Sequence, residues 1–185
     1  YTDPGVFEWE KEHIFFRSWM YVGHVSQVAK TGDVLPCWVL EEPLLVTRNA
    51  QNELRAFYNV CAHRGMRLVE SSCNRTHLQC PYHSWIYDLD GTLIRSRLTQ
   101  HLTDFPRTEV RLRPVSLEVI ESLIFVNLDE NAPPLAATIG PMFEDIRRFG
   151  IDVGELAVTG THTYEVRANW KVVIDNFLES YHAEV

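Results

Sequence analysis

The sequence predicts an α+β chain: a short N-terminal helix, an all-β domain whose loops carry metal ligands, and the opening strand and helix of a second, α+β domain. Three observations predict it. Short apolar runs recur between turn residues from Leu35 to Leu128, the signature of a domain built from short strands. Two cysteines and two histidines stand as Cys61-Ala62-His63 and, after sixteen residues, Cys80-Pro81-Tyr82-His83. Beyond Asn131-Ala132-Pro133-Pro134, a punctuated linker, the patterning turns helical.

In chain order, Asp3-Pro4 reads as a helix start, with Asp as N-cap and Pro in the first turn. Val6, Phe7, Glu10, His13, Ile14 and Phe15 then give an imperfect helical stripe through about Trp19. Thr31-Gly32-Asp33 marks a turn. Strand signals follow at Cys37 to Leu40, Leu44 to Thr47 and Ala56 to Val60, broken by Glu41-Glu42-Pro43 and Asn49-Ala50-Gln51-Asn52. Further strands are expected at Leu78 to Gln79, Trp85 to Tyr87, Leu117 to Ile120 and Leu123 to Leu128. Asp90-Gly91 lies between alternating apolar residues as a hairpin turn. Leu135 to Phe149 reads as one or two short helices with Pro141 as the break. Ala157 to Val166 alternates like a strand, and Asn169 to His182 reads as a helix. The expected division is therefore residues 1–35 as an N-terminal helical segment, 36–150 as the β domain and 151–185 as the beginning of another domain. That last stretch is too small to form a core alone.

With 185 residues, 45% hydrophobic and 23% charged, the composition is that of an ordinary globular protein. No apolar run approaches a membrane span, and no charged-then-apolar leader opens the chain. A net charge of −8 without a basic tract argues against nucleic acid or an anionic membrane as partner. Cys37 reads as a small buried hydrophobe and Cys73 as an incidental loop thiol. Spare thiols of this kind suit a reducing cytoplasm. His13 and His24 have no donor partner nearby in sequence and read as structural or surface residues.

Each ligand pair supplies one sulfur and one nitrogen. This is the donor set of a [2Fe–2S] centre in which two His replace two Cys on one iron, the Rieske type. Neutral imidazoles remove negative charge from such a centre and raise its potential. The competing reading is a structural Cys2His2 zinc site, which uses the same donors but more often a Cys-x2-Cys pair.

Cys61-Ala62-His63-Arg64-Gly65 and Cys80-Pro81-Tyr82-His83-Ser84-Trp85 resemble the Rieske domain of ring-hydroxylating oxygenases, specifically of their large (alpha) subunits. The resemblance implies that Cys61 and Cys80 hold one iron and His63 and His83 the other. Ser84 departs from it, since the family usually has Gly there, and a local backbone adjustment without loss of the cluster is expected. Trp19 to His24 also resembles the family's N-terminal segment, which packs outside the Rieske domain.

A second constellation follows. On one helix, Asp175, Glu179 and His182 share a face, and a Glu-x-x-His pair on one face can serve a metal. Taken alone this is more often a solvated face. Asn169-Trp170-Lys171 and Asp175-Asn176-Phe177-Leu178-Glu179-Ser180-Tyr181-His182 are, however, similar to the start of the catalytic domain in the same alpha subunits. That domain holds a mononuclear Fe(II) on two His and one carboxylate, leaving positions open for O2 and a small organic substrate. The resemblance makes His182 the first ligand of that iron. It makes Glu179 an acid between the two centres, hydrogen-bonded to His83 or His63 of a neighbouring subunit in a homotrimer, with or without beta subunits. Asp175, Asn176 and Tyr181 become neighbours that orient the ligands. The second His and the carboxylate would lie beyond Val185, so the sequence reads as a fragment of a longer protein.

The function so implied is the terminal oxygenase of a ring-hydroxylating dioxygenase system. It would receive electrons from NAD(P)H through a separate reductase, in some systems with a ferredoxin, and hydroxylate an aromatic substrate. Two alternatives stand beside it. Glu at 179, where the family often has Asp, resembles members acting on quaternary ammonium compounds such as carnitine, choline or betaines. A Rieske ferredoxin, an electron carrier without catalysis, is the other.

Overall fold

The computed structural model describes residues 1–97, 99, 101–106 and 109–178. Helix α1 spans Pro4–His13, capped by Asp3, whose carboxylate accepts from the Gly5 amide, with Pro4 in the first turn. It is shorter than the sequence stripe suggests. Of its residues only Glu10 is buried, and Phe15–Arg17 turns off as a separate 3-10 helix. Among the described residues ten strands follow: β1 Met20–His24, β2 Asp33–Val39, β3 Glu42–Arg48, β4 Leu54–Tyr58, β5 Cys73–Asn74, β6 Leu78–Gln79, β7 Ile86–Tyr87, β8 Leu93–Arg95, β9 Pro114–Ile120 and β10 Leu123–Asn127. Helix α2 covers Leu135–Arg148 and helix α3 Trp170–Leu178.

The strands form two antiparallel sheets. The larger runs β1-β10-β9-β4-β3-β2-β5 and the smaller β6-β7-β8. The small sheet is inserted between β5 and β9, so its residues lie on one face of the large sheet. Core residues divide accordingly. Val34, Leu45 and Phe57 face the small sheet, with Leu78, Trp85, Tyr87 and Leu93. Leu35, Cys37, Val39, Leu44, Val46 and Ala56 face the other way, with Ile124 and Val126. Burial of both faces explains why β3 reads Leu44-Leu45-Val46, a continuous apolar run with no alternation. Cys37 lies in that second core, and burial pushes its thiol up to about 12.

Four sequence expectations change. Met20–His24 does not pack outside the β domain: it pairs with β10 as an edge strand of the large sheet. The alternation Met20, Val22, His24 was readable, but the residue-level resemblance concealed it. Glu42 and Pro43 belong to β3 and not to a break, because the turn closes at Leu40 with φ +52. Pro141 does not divide α2, which continues through it. The buried side chains Leu135 and Phe143 hold the two sides of the proline on one face, and the Leu135 amide at the helix start donates to Glu118 of β9 at 2.9 Å. Residues 157–166 form no strand. They are exposed and irregular, and the Val158 amide donates to the Ser26 hydroxyl and not to a strand partner. Among the described residues no helix is long and apolar enough to cross a membrane.

The Asp90-Gly91 turn locks the small sheet to the large one. Asp88 accepts from the Asp90 and Thr92 amides, and the Leu112 amide donates to the Gly91 carbonyl. Gly91 has φ +80, and a Cβ there would stand 2.6 Å from the Phe57 ring. Gly91→Ala is expected to destabilise the protein by about 2–4 kcal/mol, combining left-handed strain with overpacking; urea or thermal denaturation measures it.

Candidate metal centre

Two loops carry the four candidate ligands, one after β4 and one between β6 and β7. They share a backbone design. The Cys61 amide donates to the Met66 carbonyl and the Gly65 amide to the Cys61 carbonyl; the Cys80 amide donates to the Trp85 carbonyl and the Ser84 amide to the Cys80 carbonyl. Each loop reverses on a residue of positive φ, Gly65 at +68 and Ser84 at +55. The expected backbone adjustment at Ser84 does not occur: the serine takes the left-handed conformation itself.

The loops are held to the core from below. Asn59 accepts from the Leu68 and Val69 amides and donates to the Val69 carbonyl, closing the first loop. Cys61 and Cys80 are 3% and 1% exposed, whereas His63 is exposed and His83 half-buried. Sulfur therefore faces inward and imidazole outward. The His63 and His83 rings lie 4.6 Å apart, inclined by 66°. His63 stacks on Trp85 at 4.7 Å, and Tyr82 covers His83 at 3.7 Å. His63, Arg64, Tyr82, His83, Trp85 and Arg97 line a cleft of about 370 Å³ on this outer side.

Tyr87 is the residue that sequence reasoning missed. It is fully buried, its hydroxyl oxygen accepts from the Ala62 amide at 3.1 Å, and the hydroxyl lies 3.2 Å from the Cys61 sulfur, to which it can donate once that sulfur is a thiolate. Burial and the Cys61 contact push the tyrosine upward, so the hydroxyl remains a donor. The available signal was Tyr87 at the end of a strand that begins five residues beyond a ligand cysteine, which the sequence reading used only as a strand.

The donor set fits a two-iron cluster. Burial pushes the Cys61 thiol upward and Cys80 adds to it, with the Tyr87 hydroxyl opposing. Thiols so placed ionise when a metal charge compensates. His83 is held below its ordinary value by desolvation, then by His63 and Arg64, which favours the neutral, ligating ring. A two-iron centre of this type takes one pair of cysteines and one pair of histidines, the donors that the two loops carry.

The second constellation is only partly described. Asp175 and Asn176 lie on α3, both exposed; Asp175 accepts from the Tyr1 hydroxyl at 3.1 Å. Glu179 and His182, with Tyr181, lie outside the described residues. His13 stacks on Trp9, and buried His24 accepts from the Ser26 amide.

Comparison with known proteins gives the same two parts. A Rieske [2Fe-2S] domain model matches residues 18–106, and the catalytic domain of the ring hydroxylating alpha subunit matches 153–185. The carnitine monooxygenase oxygenase subunit of Acinetobacter pittii (strain PHEA-2) is 37% identical over 98% of this chain and 49% of its own length. A quaternary ammonium Rieske monooxygenase, solved in connection with carnitine oxidation by gut microbiota and inter-subunit electron transfer, has a TM-score of 0.92 and 36% identity over 98% of this chain and 50% of its own. Naphthalene 1,2-dioxygenase from Rhodococcus sp. has a TM-score of 0.74 and 31% identity over 78% of this chain and 34% of its own. The chain spans about half the length of the curated relatives it matches.

Ser84→Gly is expected to relieve about 1 kcal/mol of left-handed strain and to raise Tm by about 2–4 °C. The visible absorption of the loaded protein should stay unchanged; a thermal melt and a spectrum check both.

Proposed function

The chain belongs to the family of Rieske oxygenase large (alpha) subunits, and on that premise we propose that it serves a terminal monooxygenase acting on a quaternary ammonium compound of the carnitine or betaine class. One observation carries the substrate class. The carnitine-oxidising relative overlays almost the whole chain, while the naphthalene dioxygenase overlays about three quarters of it, with a lower score. Ring hydroxylation, the first reading of the sequence, therefore yields to its alternative. The match of 153–185 to a catalytic domain weighs against a free-standing ferredoxin.

Cys61 and Cys80 would hold one iron of the cluster and His63 and His83 the other. Buried sulfurs and outward imidazoles support this division. When bound, the cluster supplies one-electron transfer and the mononuclear iron supplies O2 activation. Trp85 and Tyr82 fix the two imidazole planes by stacking, so the rings present a defined edge at the surface. Arg64 and Arg97 add positive charge to that edge, which suits an acidic partner surface. Glu179 is the acid that would meet it from a neighbouring subunit, with His182 as the first ligand of the mononuclear iron and Asp175 and Asn176 as orienting neighbours. The inter-subunit electron transfer described for the relative supports electron passage between subunits, which in this reading form a homotrimer. Electrons would arrive from NAD(P)H through a separate reductase, with or without a ferredoxin. The chain would divide near residue 150, as the two family matches suggest.

The test uses the full-length protein with a reductase and NADH. Metal and sulfide analysis should give two cluster irons, two sulfides and one further iron per chain. O2 uptake should rise with carnitine or glycine betaine and stay at background with naphthalene or biphenyl. Uptake with the arenes alone would restore the first reading.

Tyr87 gives a second outcome. Its hydroxyl, donating to a cluster sulfur, stabilises the more negative reduced state. Losing a hydrogen bond of about 1 kcal/mol corresponds to about 40 mV for one electron. Tyr87→Phe should therefore lower the cluster potential by roughly that amount with cluster content unchanged; a redox titration followed by electron paramagnetic resonance measures it.

A further inference from the structure

A group of long-range contacts ties the first helix to the last. Glu10 of α1 is 6% exposed, although it is charged. Its carboxylate accepts from the Trp170 indole at 2.9 Å and from the Lys171 ammonium at 2.5 Å. Phe15 meets the Trp170 ring edge-on at 5.1 Å. Asn169 caps the helix by accepting from the Lys171 amide at 3.0 Å. Lys171, then Trp170, hold the Glu10 carboxyl below its ordinary value.

These contacts gather at the start of α3, where Trp170, Lys171 and Val173 are half-buried. A buried carboxylate is costly without partners, and Glu10 takes both the indole and the ammonium from the first two residues of α3.

We propose that Glu10 is a positioning residue, which with Trp170 and Lys171 fixes the start and direction of α3 against α1. This deepens the proposed function and rests on it, because under that reading α3 leads to Glu179 and His182. The clasp itself joins described residues of α1 and α3 and does not touch the reaction.

The experiment compares Glu10→Gln, Lys171→Met and the double variant with the full-length wild type. Hydrogen–deuterium exchange of residues 170–178 is expected to rise at least tenfold in each, with the double variant no worse than either single one. Exchange in the large sheet and the cluster's paramagnetic signal should stay unchanged. Mononuclear iron retained after dialysis should fall several-fold, and the charge-reversed pair Glu10→Lys with Lys171→Glu should recover part of it. Unchanged exchange at 170–178 would overturn the proposal. So would exchange that rises equally in the sheet with loss of the cluster signal, since Glu10 would then be a general stabiliser. A wild-type protein without mononuclear iron would overturn the proposed function instead, and the exchange result alone would then judge the clasp.

Discussion

Two cysteine sulfurs buried at the seam between two sheets set the terms for the rest of the molecule. A thiolate in that setting is tolerable only beside a compensating positive charge, and burial already pushes the Cys61 thiol upward. The surroundings are built to that condition. Backbone hydrogen bonds fix both loops, Asn59 closes the first of them, and the Tyr87 hydroxyl lies within hydrogen-bond reach of the Cys61 sulfur. The small sheet exists in this context as the support for the second loop: β6 and β7 flank Cys80 to Trp85, and their apolar residues share a core with both cysteines.

From this follows an electrical direction. Sulfur sits in the low-dielectric interior and imidazole at the surface, so under the proposed function an electron on the bound cluster would leave by way of His63 and His83. Stacking on Trp85 and Tyr82 limits the freedom of those rings, which keeps the exit defined. Function in the proposed sense depends on this edge meeting a second metal held elsewhere. The clasp at Glu10 concerns the other half of that requirement, the placement of the helix that leads toward it. The two devices use different physics. The cluster loops are fixed by backbone hydrogen bonds and core packing, the start of α3 by a buried ion pair and the Phe15–Trp170 ring contact.

Much of the site was legible in the residues. Four candidate ligands in two short pairs point to the centre because metal chemistry demands specific donors, and donors are written in the sequence. Strands such as Leu123–Asn127 and Leu78–Gln79 were legible for a similar local reason: apolar runs between turn residues. Ser84 was legible as a departure, but its outcome was not. Sequence offers no measure of whether a loop will bend around a serine or force it to φ +55. The hydrogen bonds that surround Cys80 decide that.

Other features depend on partners distant in the chain. Met20–His24 becomes a strand because it pairs with β10, whereas residues 157–166, with the better alternation, stay exposed and irregular. Pro141 stays inside α2 because packing at Leu135 and Phe143 outweighs a missing amide. Glu10 reads as one polar residue on a helical stripe, and only folding brings it to Trp170 and Lys171. By itself, then, the sequence determined the donor set, the strand-rich domain that carries it and the family to which both belong, since donor chemistry and hydrophobic period are local properties. Tertiary structure alone decided which segments pair, which serine bears strain, that Tyr87 serves a sulfur and that a buried carboxylate holds the last helix, since each depends on energies shared between residues that the chain keeps far apart.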